Sequence, residues 1–162
     1  MINIYYTQLQ GQPSQEEAST RGRLLLGHVL QSHFAGFHLS DICYTENGRP
    51  YISGDFDFNI SHSGNLVVCA FAAGSKVGID IEECKPLAIN HYRDYFSEAE
   101  WKKIKGASDP LASFYENWTA KEAVLKAAGS GLTNNLAALE IKGGKAFFEN
   151  EDWYVYEVNI AE

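Results

Sequence analysis

Gly78-Ile79-Asp80-Ile81-Glu82, followed roughly forty residues later by Trp118-Thr119-Ala120-Lys121-Glu122-Ala123-Val124-Leu125-Lys126, sets the expectation for the fold. In the first segment apolar residues alternate with two carboxylates, the period-2 pattern of a strand whose acidic side chains share one face. The second has helical spacing and places Trp118, Glu122 and Lys126 at successive i+4 positions. If that strand and helix pack together, Asp80, Glu82 and Glu122 can converge with Lys126 beside them. Oxygen-rich clusters of this kind suit a hard cation such as Mg2+, which keeps waters and bridges to a phosphate. The pattern points to chemistry on a diphosphate.

Outward from these segments the chain alternates extended and helical stretches. Ile2-Asn3-Ile4-Tyr5-Tyr6 reads as an opening strand, and Ser14-Gln15-Glu16-Glu17 has the spacing of a capping box. The helix it starts carries Leu24, Leu25, Val29 and Leu30, with Gly22 and Gly27 weakening its regularity. Asn47-Gly48 is a turn signal between Ile42–Thr45 and Pro50–Ile52. Phe56 to Ser61 is extended. Asn59-Ile60-Ser61-His62-Ser63-Gly64 can offer a hydroxyl, an imidazole and backbone N–H groups to an anion. Leu66–Ala72 is a buried strand by composition, and Gly74-Ser75-Lys76 predicts that it forms an antiparallel hairpin with the acidic segment.

After Cys84-Lys85-Pro86 the pattern turns helical. Ser97-Glu98-Ala99-Glu100 is a second capping box, and Asp109-Pro110 an N-cap followed by proline at the first helical position. That helix carries Phe114, Trp118 and Leu125 and stops at Gly129 and Gly131. Gly143-Gly144 separates two short strands, and Trp153–Ile160 alternates as a last one. The expected organisation is α+β, one domain over 1–162. Its N-terminal half, about 1–85, and C-terminal half, about 86–162, meet at a seam without a linker.

A hydrophobic content of 45% with 21% charged residues excludes a disordered chain. The net charge of -8 argues against non-specific nucleic-acid binding. It also means that a phosphate ligand would need a metal and a few placed basic groups, because Lys and Arg number only 13. No run of about 18 apolar residues is present, so no membrane span is expected. Met1–Tyr6 lacks a basic n-region, so no signal peptide is expected either. Cys43, Cys69 and Cys84 form no CxxC pair and read as reduced thiols of a cytoplasmic protein, not as zinc ligands.

Each residue singled out has an ordinary explanation when taken alone. Asp80 and Glu82 fit a solvated strand face, Glu122 with Lys126 an i,i+4 surface pair, and Glu100 the capping partner of Ser97. His62 fits a loop. Arg21, Arg23 and Arg49 fit surface charges, although arginine is the preferred fork for phosphate oxygens.

Their combination is more specific. Asn59-Ile60-Ser61-His62-Ser63-Gly64, Val77–Glu82, Phe96-Ser97-x-x-Glu100, Trp118-x-x-Lys121-Glu122-Ala123-x-x-Lys126 and Gly129-x-Gly131-Leu132 resemble, in order and spacing, the 4′-phosphopantetheinyl transferases of the Sfp type. Arg23-Leu24-Leu25-Leu26-Gly27 and Gly48-Arg49-Pro50 resemble two further family segments, so the likeness covers roughly residues 20 to 132. It implies two similar α+β halves with pseudo-two-fold symmetry and coenzyme A at their seam. The implied reaction is Mg2+-dependent transfer of the 4′-phosphopantetheine arm from coenzyme A to a serine of an apo acyl- or peptidyl-carrier protein, releasing 3′,5′-ADP.

By the same match Asp80, Glu82 and Glu122 would hold Mg2+. Lys126 would neutralise or protonate the diphosphate, and Glu122 or a metal-bound water would take the serine proton. Glu100 joins Glu122 and Lys126 among the candidate catalytic residues. Ser61 and His62 would contact phosphates, and Arg23 and Arg49 the 3′-phosphate region. The segment before Arg23 is short for the family, with no lysine before Lys76, and the region after Leu132 is brief, which describes a shortened member. The expected protein is a cytoplasmic monomer without nucleic-acid or membrane partners. Trp101, Lys102, Lys103 and Lys105 are the candidate patch for the carrier. The alternatives are a shortened member that binds coenzyme A or carrier with little transfer, a metal-dependent phosphohydrolase, and a pure interaction domain.

Overall fold

Both edges of one buried strand decide the architecture of the N-terminal part. The computed structural model describes residues 1–131 and 136–160; Leu132, which closes the Gly129-Gly131 signal, lies outside the described residues. The chain is α+β and divides into two compact units, Met1–Glu83 with Leu125–Gly131, and Cys84–Val124 with Leu132–Glu162. Among the described residues no helix is long and apolar enough to cross a membrane.

In the first unit the alternating residues Ile2–Gln8 form β1, and Cys43–Tyr44 and Pro50–Tyr51 form β2 and β3 around Asn47-Gly48. Gly48 there has φ +78, a conformation that costs other residues more. Phe56–Ser63 is β4 and Leu66–Ala73 is β5, and the antiparallel sheet has the order β1-β5-β4. Phe58 pairs with Phe71 and Ile60 with Cys69, so these side chains share one face.

Helix α1, Gln15–His33, covers that face. Ser14 Oγ accepts from the Glu17 N–H at 3.2 Å, while the Ser14 N–H donates to Glu17 Oε2 at 2.7 Å. Its buried row Leu26, Val29 and Leu30 packs on Phe58, Cys69 and Phe71. Burying such a side chain contributes roughly 1.5–3 kcal/mol, which outweighs the helix cost of about 1 kcal/mol per internal glycine. The two glycines also have a packing reason. A Cβ on Gly22 would lie 3.1 Å from Ile60 Cγ2, and one on Gly27 3.3 Å from Leu39 Cδ2.

The hairpin expected between the acidic segment and Leu66–Ala72 is not formed. β1 and β4 already occupy the two edges of β5, so no ladder position remains for a further strand. The β5 hairpin is made with β4 instead, and the chain after Gly74 crosses the sheet face opposite α1. There Val77 packs with Ala70 and Ala72, and Ile79 against them. Side chains, not a neighbouring strand, satisfy its alternate N–H groups, as described below.

In the second unit Glu98–Gly106 forms α2, capped reciprocally by Ser97 and Glu100. Pro110–Ala128 forms α3, started by Asp109, whose Oδ1 accepts the N–H groups of Leu111 and Ala112, each at 3.0 Å. The residues of α3 from Leu125 onward group with the first unit. Ile89, Phe96, Ile104 and Phe114 form the second core, with Trp101 and Trp118 against it. Gly143 and Gly144 make the tight turn between Lys142 and Lys145, after which Lys145–Phe148 (β6) pairs with Glu151–Tyr154 (β7). The last strand therefore stops at Tyr154, opposite Lys145 at the start of β6, and does not run to Ile160; the next N–H, of Val155, goes to the Gly144 carbonyl at the turn.

Candidate active site

The outward face of β4 carries Asp57, Asn59, Ser61 and Ser63, alternate residues that point away from α1. These four side chains meet the N–H groups of Val77, Ile79, Ile81 and Glu83 in the same order. The Val77 N–H donates to Asp57 Oδ2 at 2.8 Å and the Ile79 N–H to Asn59 Oδ1 at 3.0 Å. The Ile81 N–H donates to Ser61 Oγ at 3.4 Å and the Glu83 N–H to Ser63 Oγ at 2.9 Å. Each rung joins positions twenty apart, so the acidic segment advances at the pace of a strand, parallel to β4. Buried backbone groups need partners, and polar side chains here do the work of an absent neighbour.

This register fixes the carboxylates. Ser61 Oγ donates to Asp80 Oδ1 at 2.9 Å, and Ser63 Oγ to Glu82 Oε2 at 2.9 Å. Lys126 Nζ reaches the same place, 2.6 Å from Asp80 Oδ1 and 2.9 Å from Ser61 Oγ. Asp80 is nearly buried, with its side chain 4% exposed against 30% for Lys126. A charge-assisted bond at this depth orients both groups. Asp80 Oδ2 is buried and lacks a hydrogen-bond partner among the described residues. A carboxylate oxygen left in that state suits a hard cation or an incoming donor.

Other residues named from the sequence are placed differently. His62 follows Ser61 on β4, so the pleat sends it to the α1 face, where its Nε2 lies 3.3 Å from Ser19 Oγ. The structure therefore does not bring Ser61 and His62 together. Arg23 is exposed on α1, one turn beyond Ser19. Arg49 is half-enclosed and binds protein: its Nη2 donates to Asp57 Oδ2 at 2.6 Å and its Nε to the Lys126 carbonyl at 2.8 Å. Glu122 is partly buried on α3, one turn before Lys126. Among the described residues no three His, Cys, Asp or Glu side chains form a ready metal-holding group.

Glu100 is used structurally. Its Oε2 accepts the Ser97 N–H at 2.9 Å and lies 2.9 Å from Lys121 Nζ. Lys121 is completely buried and also donates to the carbonyls of Leu136 and Leu139, at 3.0 and 2.6 Å. Burial lowers its pKa, and the hydrogen bond and charge of Glu100 oppose that shift. The sequence motifs include Lys121 and Asn59 without giving either a role, and Asp57 lies outside them. A signal for Lys121 existed: Phe114, Trp118, Lys121 and Leu125 follow the i, i+4, i+7, i+11 stripe of an inward helix face.

Comparison with known proteins points the same way as the motifs. The family model described as 4′-phosphopantetheinyl transferase superfamily matches residues 76–151. The 4′-phosphopantetheinyl transferase Sfp of Bacillus subtilis is 36% identical over 130 residues, covering 74% of this chain and 58% of that protein. The 4′-phosphopantetheinyl transferase gsp of Aneurinibacillus migulanus is 42% identical over 89 residues, covering 54% and 37%. The L-aminoadipate-semialdehyde dehydrogenase-phosphopantetheinyl transferase of Schizosaccharomyces pombe is 39% identical over 114 residues, covering 58% and 44%. The chain thus spans about half the length of the curated relatives it matches. The segment 77–83 that β4 holds in register lies within the family match, as does Lys126, and over that stretch the chain is similar to the 4′-phosphopantetheinyl transferase superfamily.

Proposed function

We propose that this chain transfers the 4′-phosphopantetheine arm of coenzyme A to a serine of an apo acyl- or peptidyl-carrier protein, leaving 3′,5′-ADP. The observation that carries this reading is the meeting of Lys126 Nζ and Ser61 Oγ at Asp80, whose second oxygen is buried and unshared. That oxygen fits a hard cation, and we assign Asp80, Glu82 and Glu122 as the residues that hold Mg2+. The cation would supply positive charge to a diphosphate and so lower the cost of charge on the leaving group.

The chain's own residues would do the rest. Lys126, part-exposed and already oriented by Asp80, donates to a diphosphate oxygen. Ser61, its one hydroxyl proton given to Asp80, accepts from that ammonium and holds it in place. Glu122 or a water takes the proton of the incoming serine. Arg23, on α1, and His62, which meets that helix at Ser19, receive the nucleotide end. Glu100, committed to a cap and to Lys121, acts as a positioning residue. The half-buried Trp101, beneath Arg93 and Lys105, and the exposed Lys102 and Lys103 form the patch offered to the carrier. The same reading makes the protein cytoplasmic and monomeric.

The test is release of 3′,5′-ADP from coenzyme A with Mg2+ or with a chelator, in the presence and absence of an apo carrier protein. Release that needs both carrier and Mg2+ supports transfer. Nucleotide release without carrier would instead favour a phosphohydrolase. A coenzyme A-dependent rise in melting temperature without release would favour a binding module.

A further inference from the structure

One guanidinium touches all three segments that carry the Lys126 cluster. Arg49 Nε donates to the Lys126 carbonyl at 2.8 Å, and its Nη2 donates to Asp57 Oδ2 at 2.6 Å and to the Val77 carbonyl at 3.1 Å. Asp57 is the first rung of the β4 ladder and Val77 the first residue that the ladder holds. Lys126 lies in the last turn of α3, where carbonyls have no helical partner and the helix dipole favours a cation. Asn47, from the same β2–β3 turn as Arg49, adds a second tie, its Nδ2 donating to the Gly129 carbonyl at 2.9 Å. Gly129 has φ +77, and a Cβ there would stand 3.4 Å from Arg49 Cδ, so the glycine gives both the helix stop and room for the arginine stem.

We infer that Arg49 is a positioning residue, the C-terminal cap of α3 that sets Lys126 against Ser61 and Asp80. This rests on the proposed role of Lys126 in transfer, and it differs from the 3′-phosphate contact that the resemblance implies for Arg49. An arginine that served a nucleotide phosphate would turn its fork to solvent. Here the side chain is only 14% exposed, and its Nε and Nη2 donors are spent on a carboxylate and backbone carbonyls. Lysine is no substitute, because one ammonium cannot span Asp57 and the helix end in the same planar geometry.

The test compares the wild type with Arg49→Gln, Arg49→Lys and the double variant Arg49→Gln/Asp57→Asn, which removes the carboxylate that a single change would leave unpaired. Two readouts are taken: kcat and KM for coenzyme A with an apo carrier, and amide hydrogen exchange of residues 125–131 in the free protein. The expected result is a fall in kcat of about tenfold or more with KM changed less than about threefold, which marks an interaction that matters in the transition state. Exchange at 125–131 should quicken in all three variants, and the double variant should regain stability without regaining kcat. A rise in KM of about tenfold with kcat preserved would overturn the inference in favour of a nucleotide contact. Unchanged exchange at 125–131 would overturn it as well. If the wild type transfers nothing, the functional reading fails, and the exchange readout still decides whether Arg49 caps the helix.

Discussion

Lys126→Met should destabilise the protein far more than Asp80→Asn, although the two substitutions break the same ion pair. The asymmetry follows from burial, 4% exposure for Asp80 against 30% for Lys126. Removing the lysine leaves a carboxylate in the interior, and breaking a buried pair in that way costs about 3–5 kcal/mol. Ser61 still donates to Asp80 Oδ1, which places the expected loss near the lower end, about 3 kcal/mol. Removing the aspartate charge instead leaves an ammonium that can turn to water and keep Ser61 Oγ, for a loss of about 1 kcal/mol. The double variant removes the stranded charge, so it should lie about 2 kcal/mol above Lys126→Met, a coupling of about 3 kcal/mol and so at the top of the range for residues in contact. Urea unfolding of all four proteins in the presence of a chelator gives these differences. At roughly 2–4 °C per kcal/mol for a chain of this size, Lys126→Met should melt about 6–12 °C below wild type. Equal losses in the two single variants, or additivity in the double, would refute the buried-pair argument.

Burial pushes the Cys69 thiol up to about 12, so the folded protein keeps it protonated where an unfolded chain, with a pKa near 8.5, would not. Stability from this group is complete below pH 8.5 and is lost as pH rises toward 12; at pH 10 wild type should lose about 2 kcal/mol relative to Cys69→Ala, measured as the change in their stability difference from pH 7. Lys121→Met strands the buried Glu100 and two carbonyls, and should cost about 3–5 kcal/mol by urea unfolding, with Glu100→Gln in the same chain recovering part of it. Reversing Lys102, Lys103 and Lys105 to glutamate should raise KM for an acidic carrier while coenzyme A affinity, measured without carrier by calorimetry, stays unchanged. An unaltered carrier KM would place docking elsewhere.

Local chemistry made much of the fold legible. Ser14 with Glu17, Ser97 with Glu100 and Asp109 before Pro110 all mark helix starts, because each cap is decided by residues two or three apart. The acidic segment was misassigned because alternation reports only that a chain is extended on a surface. Whether it joins a ladder depends on a free sheet edge, and β1, some seventy residues upstream of Asp80, had taken the edge of β5. Ending β4 at Ser61 put His62 in a loop; carried on to Ser63, the period of two sends it to the face opposite Ser61. Arg49 and Lys121 show the other limit. A basic residue seen in sequence suggests an anion, yet both are held by carbonyls and carboxylates brought together only by tertiary packing.

The central claim is that the cluster at Asp80 and Lys126 serves transfer to a carrier protein. Intact-mass measurement of apo acyl- and peptidyl-carrier proteins, incubated with coenzyme A, Mg2+ and either wild type or Lys126→Met, tests it most directly. The account predicts that wild type adds the mass of one phosphopantetheine arm to a single serine of at least one carrier, and that a folded Lys126→Met, or wild type in a chelator, adds none at the same time point. Equal modification by wild type and Lys126→Met, or no mass gain on any carrier by a wild type that binds coenzyme A, would contradict it.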